Sequence, residues 1–215
     1  MSKVRAPLLS WGAGGQIAKT QVYSNWKGRP YVRQYVVPAN PNSPGQQLTR
    51  NTFRYLNRLW QYLPAGALGA WSLYATNQRY TNRNGWLSVN TGVLRSKTDL
   101  TDIILSIGAG SGIVAQAMDV VAGSGSLTVT LTAPDLPTGW TITSAWAMAV
   151  ASVDPQTSDV YDAVSGSDNA TPFEIVLSGL TPAQEYVVGG WFEFTKPDGK
   201  KAYGISLQDV ATPTV

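Results

Sequence analysis

The chain has 215 residues, enough for one large or two small domains, and 43% of them are hydrophobic while only 13% are charged. It contains no cysteine and no histidine, which excludes thiol nucleophiles, disulfide bonds, structural zinc sites and Ser-His triads. No run of 18 apolar residues occurs, so no membrane span is predicted, and the amino-terminal stretch lacks the apolar core of a signal peptide.

The charges are segregated along the chain. Residues 1–98 contain 13 lysines and arginines and no acid, whereas residues 99–215 contain three lysines and all 13 acids. The two parts therefore carry +13 and −10, which sum to the net charge of +3. This asymmetry points to an interaction surface and indicates two modules with a boundary near 98–124.

Residues 11–38 have the pattern of extended chain. The sequence alternates on both sides of the stretch NWKGRP, in which Gly28 and Pro30 favour a turn. This pattern predicts a β-hairpin. The prolines within residues 38–44 then predict an extended connector, because residues before proline avoid the α region.

A first helix is predicted directly after this connector. Ser43 is suited to the N-cap and Pro44 to the first helical position, and Gln46 completes a capping box. The helix should end near Tyr62, before Pro64. Its predicted apolar face consists of Leu48, Thr52, Phe53, Leu56, Leu59, Trp60 and Leu63, and its other face carries Arg50, Arg54 and Arg58.

Two further helices are predicted at about 65–78 and about 84–95. Gly66 and Gly69 weaken the first of them because glycine disfavours helix interiors. Tryptophans recur in all three helices at short spacing. We therefore expect a small helical cluster with a tryptophan core that packs against the hairpin.

Glycines punctuate residues 99–112. Gly108, Gly110 and Gly112 lack the dinucleotide-binding spacing, and no Lys-Ser or Lys-Thr follows, so this stretch is predicted to be a flexible linker. From Ser126 onward the hydrophobic pattern has a period of two, in six or seven short segments separated by turns. The sequence thus predicts an α+β fold with two domains: a hairpin with short helices (1–98) and an antiparallel β-sandwich (113–215).

The stretch SGLTPAQEYVVGGWFEF at 178–194 contains a Leu-x-Pro turn followed by a tyrosine, at Leu180, Pro182 and Tyr186. It resembles the corner between strands E and F of fibronectin type III and other Ig-like domains, where such a tyrosine anchors the corner. Trp146 falls on the third predicted strand, whereas that family's usual core tryptophan lies on the second. The resemblance covers about 90 residues and implies a sandwich scaffold rather than a function.

The stretch WKGRPYVRQYVVPANPNSPGQQLTRNTFRYLNRLW joins a Lys-Gly-Arg hairpin to a proline-rich helix start, and a tryptophan-centred helix and NGWLSVN follow. This pattern is similar to a small module of structural proteins predicted in tailed phages and prophages. The resemblance implies a virion protein assembled in the host cytoplasm, with major capsid or tail proteins as partners.

Catalytic and metal-binding groups are not predicted. The stretch DVYDAVSGSDN supplies Asp159, Asp162 and Asp168, but their spacing is not that of an EF-hand loop. Solvated turn acids are the expected interpretation. Because no catalytic set remains after the residue inventory, we expect no enzyme activity, no cofactor and no metal site.

The candidate docking residues are basic or aromatic and lie in the hairpin and the first helix: Lys27, Arg29, Tyr31, Arg33, Arg50, Arg54 and Arg58. Arginine outnumbers lysine 9 to 4 in residues 1–98, which suits bidentate recognition of carboxylate or phosphate. No acid within residues 1–98 can neutralise them. Their partner is therefore the acidic half, another copy, or another molecule.

Several interpretations of this basic surface stay open. The favoured one is a non-enzymatic virion protein, a capsid decoration, minor capsid or tail component, that docks in many copies and self-associates. A nucleic-acid-binding packaging protein is the second interpretation. The same pattern is also compatible with an ordinary solvated surface. A host- or glycan-binding adhesin is the third, and it would need exposed aromatic residues at Trp140, Tyr161 or Trp191.

Overall fold

The computed structural model describes residues 2–3, 14–37, 42–76, 78, 80–95, 97–160 and 162–215. The chain divides into two compact units, Met1–Asn42 and Ser43–Val215. The predicted α+β class is confirmed: a β-hairpin comes first, helices follow, and a β-sandwich completes the chain.

The described residues of the first unit contain a four-stranded antiparallel sheet. Its strands are β1 (Ser2–Lys3), β2 (Gly15–Ile17), β3 (Gln21–Trp26) and β4 (Arg29–Gln34), in the order β1-β4-β3-β2. Lys27 and Gly28 connect β3 to β4 with φ angles of 50° and 74°. Two successive positive φ values define the tight hairpin turn whose twist matches that of the strands. Pro30 lies within β4 rather than in the turn.

Three helices begin the second unit: α1 (Pro44–Leu59), extended by a 3-10 turn at Trp60–Tyr62, α2 (Ala65–Thr76) and α3 (Asn82–Leu94). Helix α1 begins where the sequence predicts, after Ser43 in an extended conformation. The predicted capping box is wrong, because the Ser43 side chain makes no capping hydrogen bond and Gln46 donates its backbone N–H to the Ser43 carbonyl.

The buried face of α1 differs from the predicted one at two positions. Tyr55 is fully buried, whereas Phe53 is 45% exposed. Thr52, Leu56 and Leu59 are buried as expected. The buried stripe of α1 is therefore rotated by part of a turn from the predicted one. The sequence alone does not distinguish the two stripes, because each contains an aromatic residue.

Nine strands form the rest of the second unit: β5 (Gly110–Val114), β6 (Ala117–Gly123), β7 (Ser126–Thr132), β8 (Thr141–Ala151), β9 (Ala163–Asp168), β10 (Phe173–Ser178), β11 (Tyr186–Thr195), β12 (Lys201–Ile205) and β13 (Leu207–Ala211). One sheet has the order β10-β7-β6. The other has the order β5-β12-β11-β8-β9, with β13 also paired to β11. All pairs are antiparallel except β5 with β12.

Strands β8 and β11 are covered on both faces. Ala147 and Phe192 belong to the core between the two sheets. Met148 and Trp191, their neighbours in sequence, belong to a second core that they share with Trp71 of α2. Alternate residues of a strand point to opposite faces, so the six-stranded sheet lies between the three-stranded sheet and the helices.

The sequence suggested that the helices form a separate domain with the hairpin, and this prediction is wrong. Their tryptophan core is confirmed, because Trp71 and Trp86 are fully buried with ring centroids 5.5 Å apart. However, this core continues into the six-stranded sheet through Val187 and Trp191. The boundary between the two compact units along the chain consequently lies after Asn42 and not at residues 99–112.

Residues 99–112, predicted as a flexible linker, contribute to the same core. Leu100, Ile103 and Leu105 are fully buried, and the Leu105 carbonyl accepts a hydrogen bond of 3.0 Å from the Trp71 indole. The glycines after them carry positive φ angles, and Gly108 lies against Ile205. Glycine here permits close backbone contact rather than flexibility.

Tyr186 anchors the start of β11. Its side chain is fully buried, its hydroxyl accepts a 2.8 Å hydrogen bond from the backbone N–H of Thr181, and it donates to the Asp162 carboxylate. Leu180 is buried in the core beside it. Trp146 points away from the sandwich core, towards the helices. None of the helices in the described part of the chain is long and apolar enough to cross a membrane.

Candidate docking surface

The hairpin brings the predicted basic and aromatic residues onto one face. Trp26 pairs with Arg29 across the strands, Ser24 pairs with Tyr31, and Val22 pairs with Arg33. Residues directly opposite in an antiparallel pair lie on the same face of the sheet. Arg29, Tyr31 and Arg33 therefore share a face with Trp26.

Lys27 joins this group from the turn. Its Nζ lies 4.9 Å from the centroid of the Trp26 ring, which is cation–π geometry. We call the set Trp26, Lys27, Arg29, Tyr31 and Arg33 the basic hairpin face. Four of the seven predicted docking residues thus form one surface.

The sheet that carries this face has no core of its own among its described residues. None of the residues 14–37 is buried, and Trp26 is 63% exposed. On the opposite face, Tyr23, Pro30 and Val32 are only half-buried. A small sheet becomes independently stable only when a hydrophobic face is covered. The basic hairpin face, with its exposed aromatic and cationic side chains, is therefore chemically suited to bind a partner.

The electrostatic field of the first unit has one sign. Residues 1–42 contain six lysines and arginines and no acid. Residues 43–215 contain the other ten lysines and arginines and all 13 acids, a net charge of −3. No side chain within residues 1–42 can thus form an ion pair with the basic hairpin face, and the complementary charge must come from outside it.

The arginines of α1 are in a different situation. Arg58 Nη1 lies 2.6 Å from one Asp159 carboxylate oxygen, and Arg54 Nε lies 3.8 Å from the other. About half of each side chain is exposed. Of the alternatives left open by the sequence, the acidic half of the same chain is therefore the partner of these two arginines.

Arg50 lies further towards the N-terminus of α1. It lines a groove of about 650 Å³ together with Gln46, Thr49 and Arg95. A neighbouring groove of about 430 Å³ between α1 and α3 includes Phe53 and Arg95. The three helix arginines belong to the second unit and the four hairpin residues to the first, so the seven predicted residues make two surfaces.

Trp26 is the residue that the sequence-based list of docking residues omits. Its signal is present in the stretch NWKGRP, because a two-residue Lys27-Gly28 turn makes Trp26 and Arg29 the first pair across the hairpin. The turn type, which requires positive φ at both positions, decides this pairing. Arg95 is also missing from the predicted set, and it meets Arg50 only through the packing of α1 beside α3.

The aromatic residues required for a glycan-binding sandwich are not available as expected. Trp191 is fully buried. Trp140 is half-buried, lies 6.2 Å from the Phe194 ring, and carries the Lys196 ammonium group 5.0 Å above its own ring. Tyr161 lies outside the described residues. Trp191 is therefore not accessible to a glycan, as the adhesin interpretation would require.

The acids of residues 159–168 have partners within the fold. Asp159 pairs with Arg54 and Arg58 of α1, and Asp162 accepts a hydrogen bond from the Tyr186 hydroxyl. Asp168 accepts hydrogen bonds from the backbone N–H groups of Ala170 and Glu174, which lower the pKa of its carboxyl group. Across the described residues, no group of three or more potential ligand side chains is arranged to hold a metal ion.

No protein-family model matches the chain, and no curated protein matches it either. Among solved structures, the chain is similar to a β-sandwich protein redesigned by computation, at 15% identity over 46% of this chain and 88% of that one, with a TM-score of 0.33. It is also similar to a structure described as that of a myokine, at 15% identity over 48% of this chain and 99% of that one, with a TM-score of 0.34. These likenesses concern the β-sandwich fold alone.

Proposed function

We propose that the chain is a non-enzymatic structural protein of a tailed-phage virion that docks onto an acidic assembly surface. It is a capsid decoration, minor capsid or tail component, assembled in the host cytoplasm with major capsid or tail proteins. The observation that carries the docking proposal is the basic hairpin face on a sheet in which none of the residues 14–37 is buried. The virion assignment rests on the resemblance of the amino-terminal pattern to tailed-phage modules.

The chemistry of the face suits a protein partner. Arg29 and Arg33 present planar guanidinium groups that bind carboxylates in a bidentate manner. Trp26 and Tyr31 supply apolar area that water leaves on contact, and arginine, tryptophan and tyrosine are the residue types that dominate interface centres. On a symmetric particle, many modest contacts of this kind add up because the copies bind together.

The sandwich is the part that projects or packs between neighbours, and we assign it to the fibronectin type III and Ig-like type. The hydrogen bond from Thr181 to the Tyr186 hydroxyl supports this assignment, because it has the geometry of a tyrosine corner.

The decisive experiment compares two variants with the same change of charge. Arg29→Glu with Arg33→Glu reverses the basic hairpin face, and Arg54→Glu with Arg58→Glu reverses two arginines that Asp159 already binds. Quantitative mass spectrometry of purified particles measures the copies of each variant. We expect the hairpin variant to fall at least about tenfold in copy number, which corresponds to 1.4 kcal/mol, and the helix variant to be retained.

The soluble fraction provides the folding control, since both variants should show the near-UV circular dichroism of the wild type. Absence of the wild-type chain from particles would remove the virion assignment. Normal incorporation of the folded hairpin variant would remove the role of the basic hairpin face.

Nucleic-acid binding is the second candidate, and one observation favours it. The exposed ring of Trp26 lies on the same face as Tyr31 and two arginines, an arrangement on which bases can stack while phosphates pair with cations. Titration of single- and double-stranded oligonucleotides, followed by tryptophan fluorescence, tests it. This candidate requires affinity that falls steeply with salt and is lost in Trp26→Ala. No binding at low salt would end it.

A further inference from the structure

We propose that the basic hairpin face docks onto the outer face of the three-stranded sheet β10-β7-β6 of a second copy of this chain. This inference rests on the proposed docking function and names the acidic surface. It joins two surfaces that the fold leaves without a partner in the described residues.

Two central rows of the outer face of the three-stranded sheet matter here. Glu174, Thr130 and Asp119 form one row, and Val176, Thr128 and Val121 form the next. We call these six residues the acidic sheet face. Residues between them along the strands, such as Leu127, Val129 and Ile175, point inward and fill the core.

The acidic sheet face is open to solvent. Val121 is 55% exposed and Val176 is 59% exposed, and they flank Thr128 in the same row. Single exposed valines are ordinary, but two in one row on a flat sheet form an apolar strip. The other face of this sheet is the sandwich core, and the helices contact the six-stranded sheet.

Most other acids are engaged within the fold. Asp102, Asp159, Asp198 and Glu193 form ion pairs, and Asp99, Asp154, Asp162 and Asp168 accept hydrogen bonds from neighbouring groups. Asp209 accepts from the next backbone N–H. Within the described residues this leaves Asp119, Asp135, Glu174 and Glu185 without such a partner. Asp119 and Glu174 stand in one row with only Thr130 between them.

The two faces match in spacing as well as in charge. Arg29 and Arg33 are four residues apart on β4, a distance of about 13 Å, with Tyr31 between them. Glu174 and Asp119 are two strand spacings apart, about 10 Å, with Thr130 between them. If the strands of the two sheets cross near right angles, each guanidinium reaches one carboxylate.

In that arrangement Tyr31 lies over Thr130, and Trp26, opposite Arg29 on the neighbouring strand, lies over one end of the row of Val121, Thr128 and Val176. The Trp26 ring then covers an exposed valine, so the contact removes exposed apolar surface from both copies. The ion pairs fix the orientation of the contact and supply the attraction that salt screens, and the apolar contact adds to it.

The grooves beside α1 do not fit as the partner of the hairpin. Arg50 and Arg95 line them, and a unit with six cations and no acid is repelled there. The contact between the basic hairpin face and the acidic sheet face uses two different patches, so it is heterologous. Such contacts build rings or open chains of subunits, as a symmetric lattice requires.

The test is the self-association of the full chain, measured as weight-average mass by sedimentation and light scattering. At about 0.02 M ionic strength we expect the mass to rise with concentration to at least twice the 23.1 kDa of the monomer, and to return to it at about 1 M salt. Asp119→Lys with Glu174→Lys should remain monomeric, and so should Arg29→Glu with Arg33→Glu. The matched control, Asp135→Lys with Glu185→Lys, should associate like the wild type.

Mixing the two monomeric variants provides a sharper readout. The sheet variant retains an intact hairpin face and the hairpin variant retains an intact sheet face, and the two substituted faces are also opposite in charge. The mixture should therefore associate in a 1:1 ratio although neither variant associates alone. A chain that carries all four substitutions exchanges the signs of both faces and should associate again. Loss of folding cannot imitate these two gains.

A wild-type chain that stays monomeric at low salt, or an Asp119→Lys and Glu174→Lys variant that associates normally, would overturn the inference. A mixture that stays monomeric would do the same. If the wild type is monomeric but enters particles through Arg29 and Arg33, only the identity of the partner is wrong. If the chain self-associates but is absent from particles, the proposed virion function is the part that fails.

Discussion

Gly66 lies against the indole ring of Trp146, and this contact sets how closely α2 approaches the six-stranded sheet. A Cβ atom on Gly66 would lie 2.6 Å from the indole Nε1. The same Nε1 donates a 3.2 Å hydrogen bond to Glu193, whose other carboxylate oxygen is 2.6 Å from Lys201 Nζ. Glu193 is only 4% exposed, so its charge depends on these neighbours. The glycine that weakens α2 in isolation is required by this packing.

We expect Gly66→Ala to destabilise the protein by about 1–3 kcal/mol, because the added methyl group must displace a ring held by Glu193. Gly92→Ala in α3 is the matched control, since a Cβ there has nothing within 4 Å. The control should be stabilised by about 0.5–1 kcal/mol through helix propensity. Urea unfolding midpoints measure both, and equal stabilisation of the two variants would contradict the packing argument.

Tyr186 is a second residue whose hydroxyl group the fold uses. We expect Tyr186→Phe to lower the free energy of unfolding by about 1–3 kcal/mol, because it leaves the Thr181 amide and the Asp162 carboxylate without this partner. Tyr62→Phe provides a control, since Tyr62 is 47% exposed, and should change stability by less than about 0.5 kcal/mol. A loss no larger than that of the control would count against the anchoring role.

The same tyrosine makes a prediction about alkaline pH. Burial, followed by the hydrogen bond with Asp162, raises the pKa of Tyr186 above its ordinary value of about 10. The unfolded chain therefore loses this proton first, and stability contributed below pH 10 or so is lost as the pH rises through the folded pKa. The Tyr186→Phe variant has no hydroxyl group at this position, so its stability does not show this decrease. The stability gap between wild type and Tyr186→Phe, measured by urea unfolding, should narrow above about pH 10.

At the scale of elements, helix α1 shows which features are local. Its start at Ser43 and Pro44 and its arginine face were predictable, because capping position and helical spacing depend on neighbouring residues. Which acid binds Arg54 and Arg58 was not predictable. Asp159 lies in the connection between β8 and β9, and only the docking of the helices on the sheet brings it beside α1.

This ion pair should matter little for stability. We expect Asp159→Asn to cost about 0.2–1 kcal/mol at low salt, because about half of each side chain is exposed to water. The cost should vanish at about 1 M salt, where exposed charges are screened. Thermal unfolding at the two salt concentrations measures it, with Asp135→Asn as the control. A loss that persists at high salt would show that the pair is not a screened surface contact.

The strands β8 and β11 carry a signal that points beyond a simple sandwich. A sandwich strand with one solvated face alternates apolar and polar residues, as β10 does with its alternating buried and exposed positions. In β11, by contrast, every residue from Tyr186 to Phe194 is buried. A continuous apolar run of this kind indicates a strand covered on both faces. The run is visible in YVVGGWFEF, but it does not say which element supplies the second cover.

At the scale of the molecule, the two compact units differ in both charge and burial. Residues 1–42 carry +6, and none of the residues 14–37 within them is buried, whereas residues 43–215 carry −3 and contain both cores. The helices complete the second unit, because they cover the outer side of β8 and β11. Helices and sandwich therefore form one cooperative body.

Truncation tests this division. We expect residues 43–215 to fold alone with a thermal midpoint close to that of the full chain, because both cores lie within them. Residues 113–215 should be insoluble or only partly folded, since removal of the helices exposes Met148, Val150, Val187 and Trp191. Calorimetry and light scattering of the two fragments measure this. A well-folded, soluble 113–215 fragment would restore the boundary suggested by the sequence.

The sequence by itself determined the features that depend on near neighbours: the hairpin around Gly28, the start of α1 after Ser43, the alternating strands of the sandwich, and the segregation of charge. The tertiary structure alone decided that Tyr55 rather than Phe53 is buried, that residues 99–112 enter a core, and that Asp159 binds two of the arginines. The physical reason is the distance along the chain over which each interaction acts. Backbone preference and hydrophobic period are set within a few residues, whereas the surface that covers a face comes from a distant part of the chain.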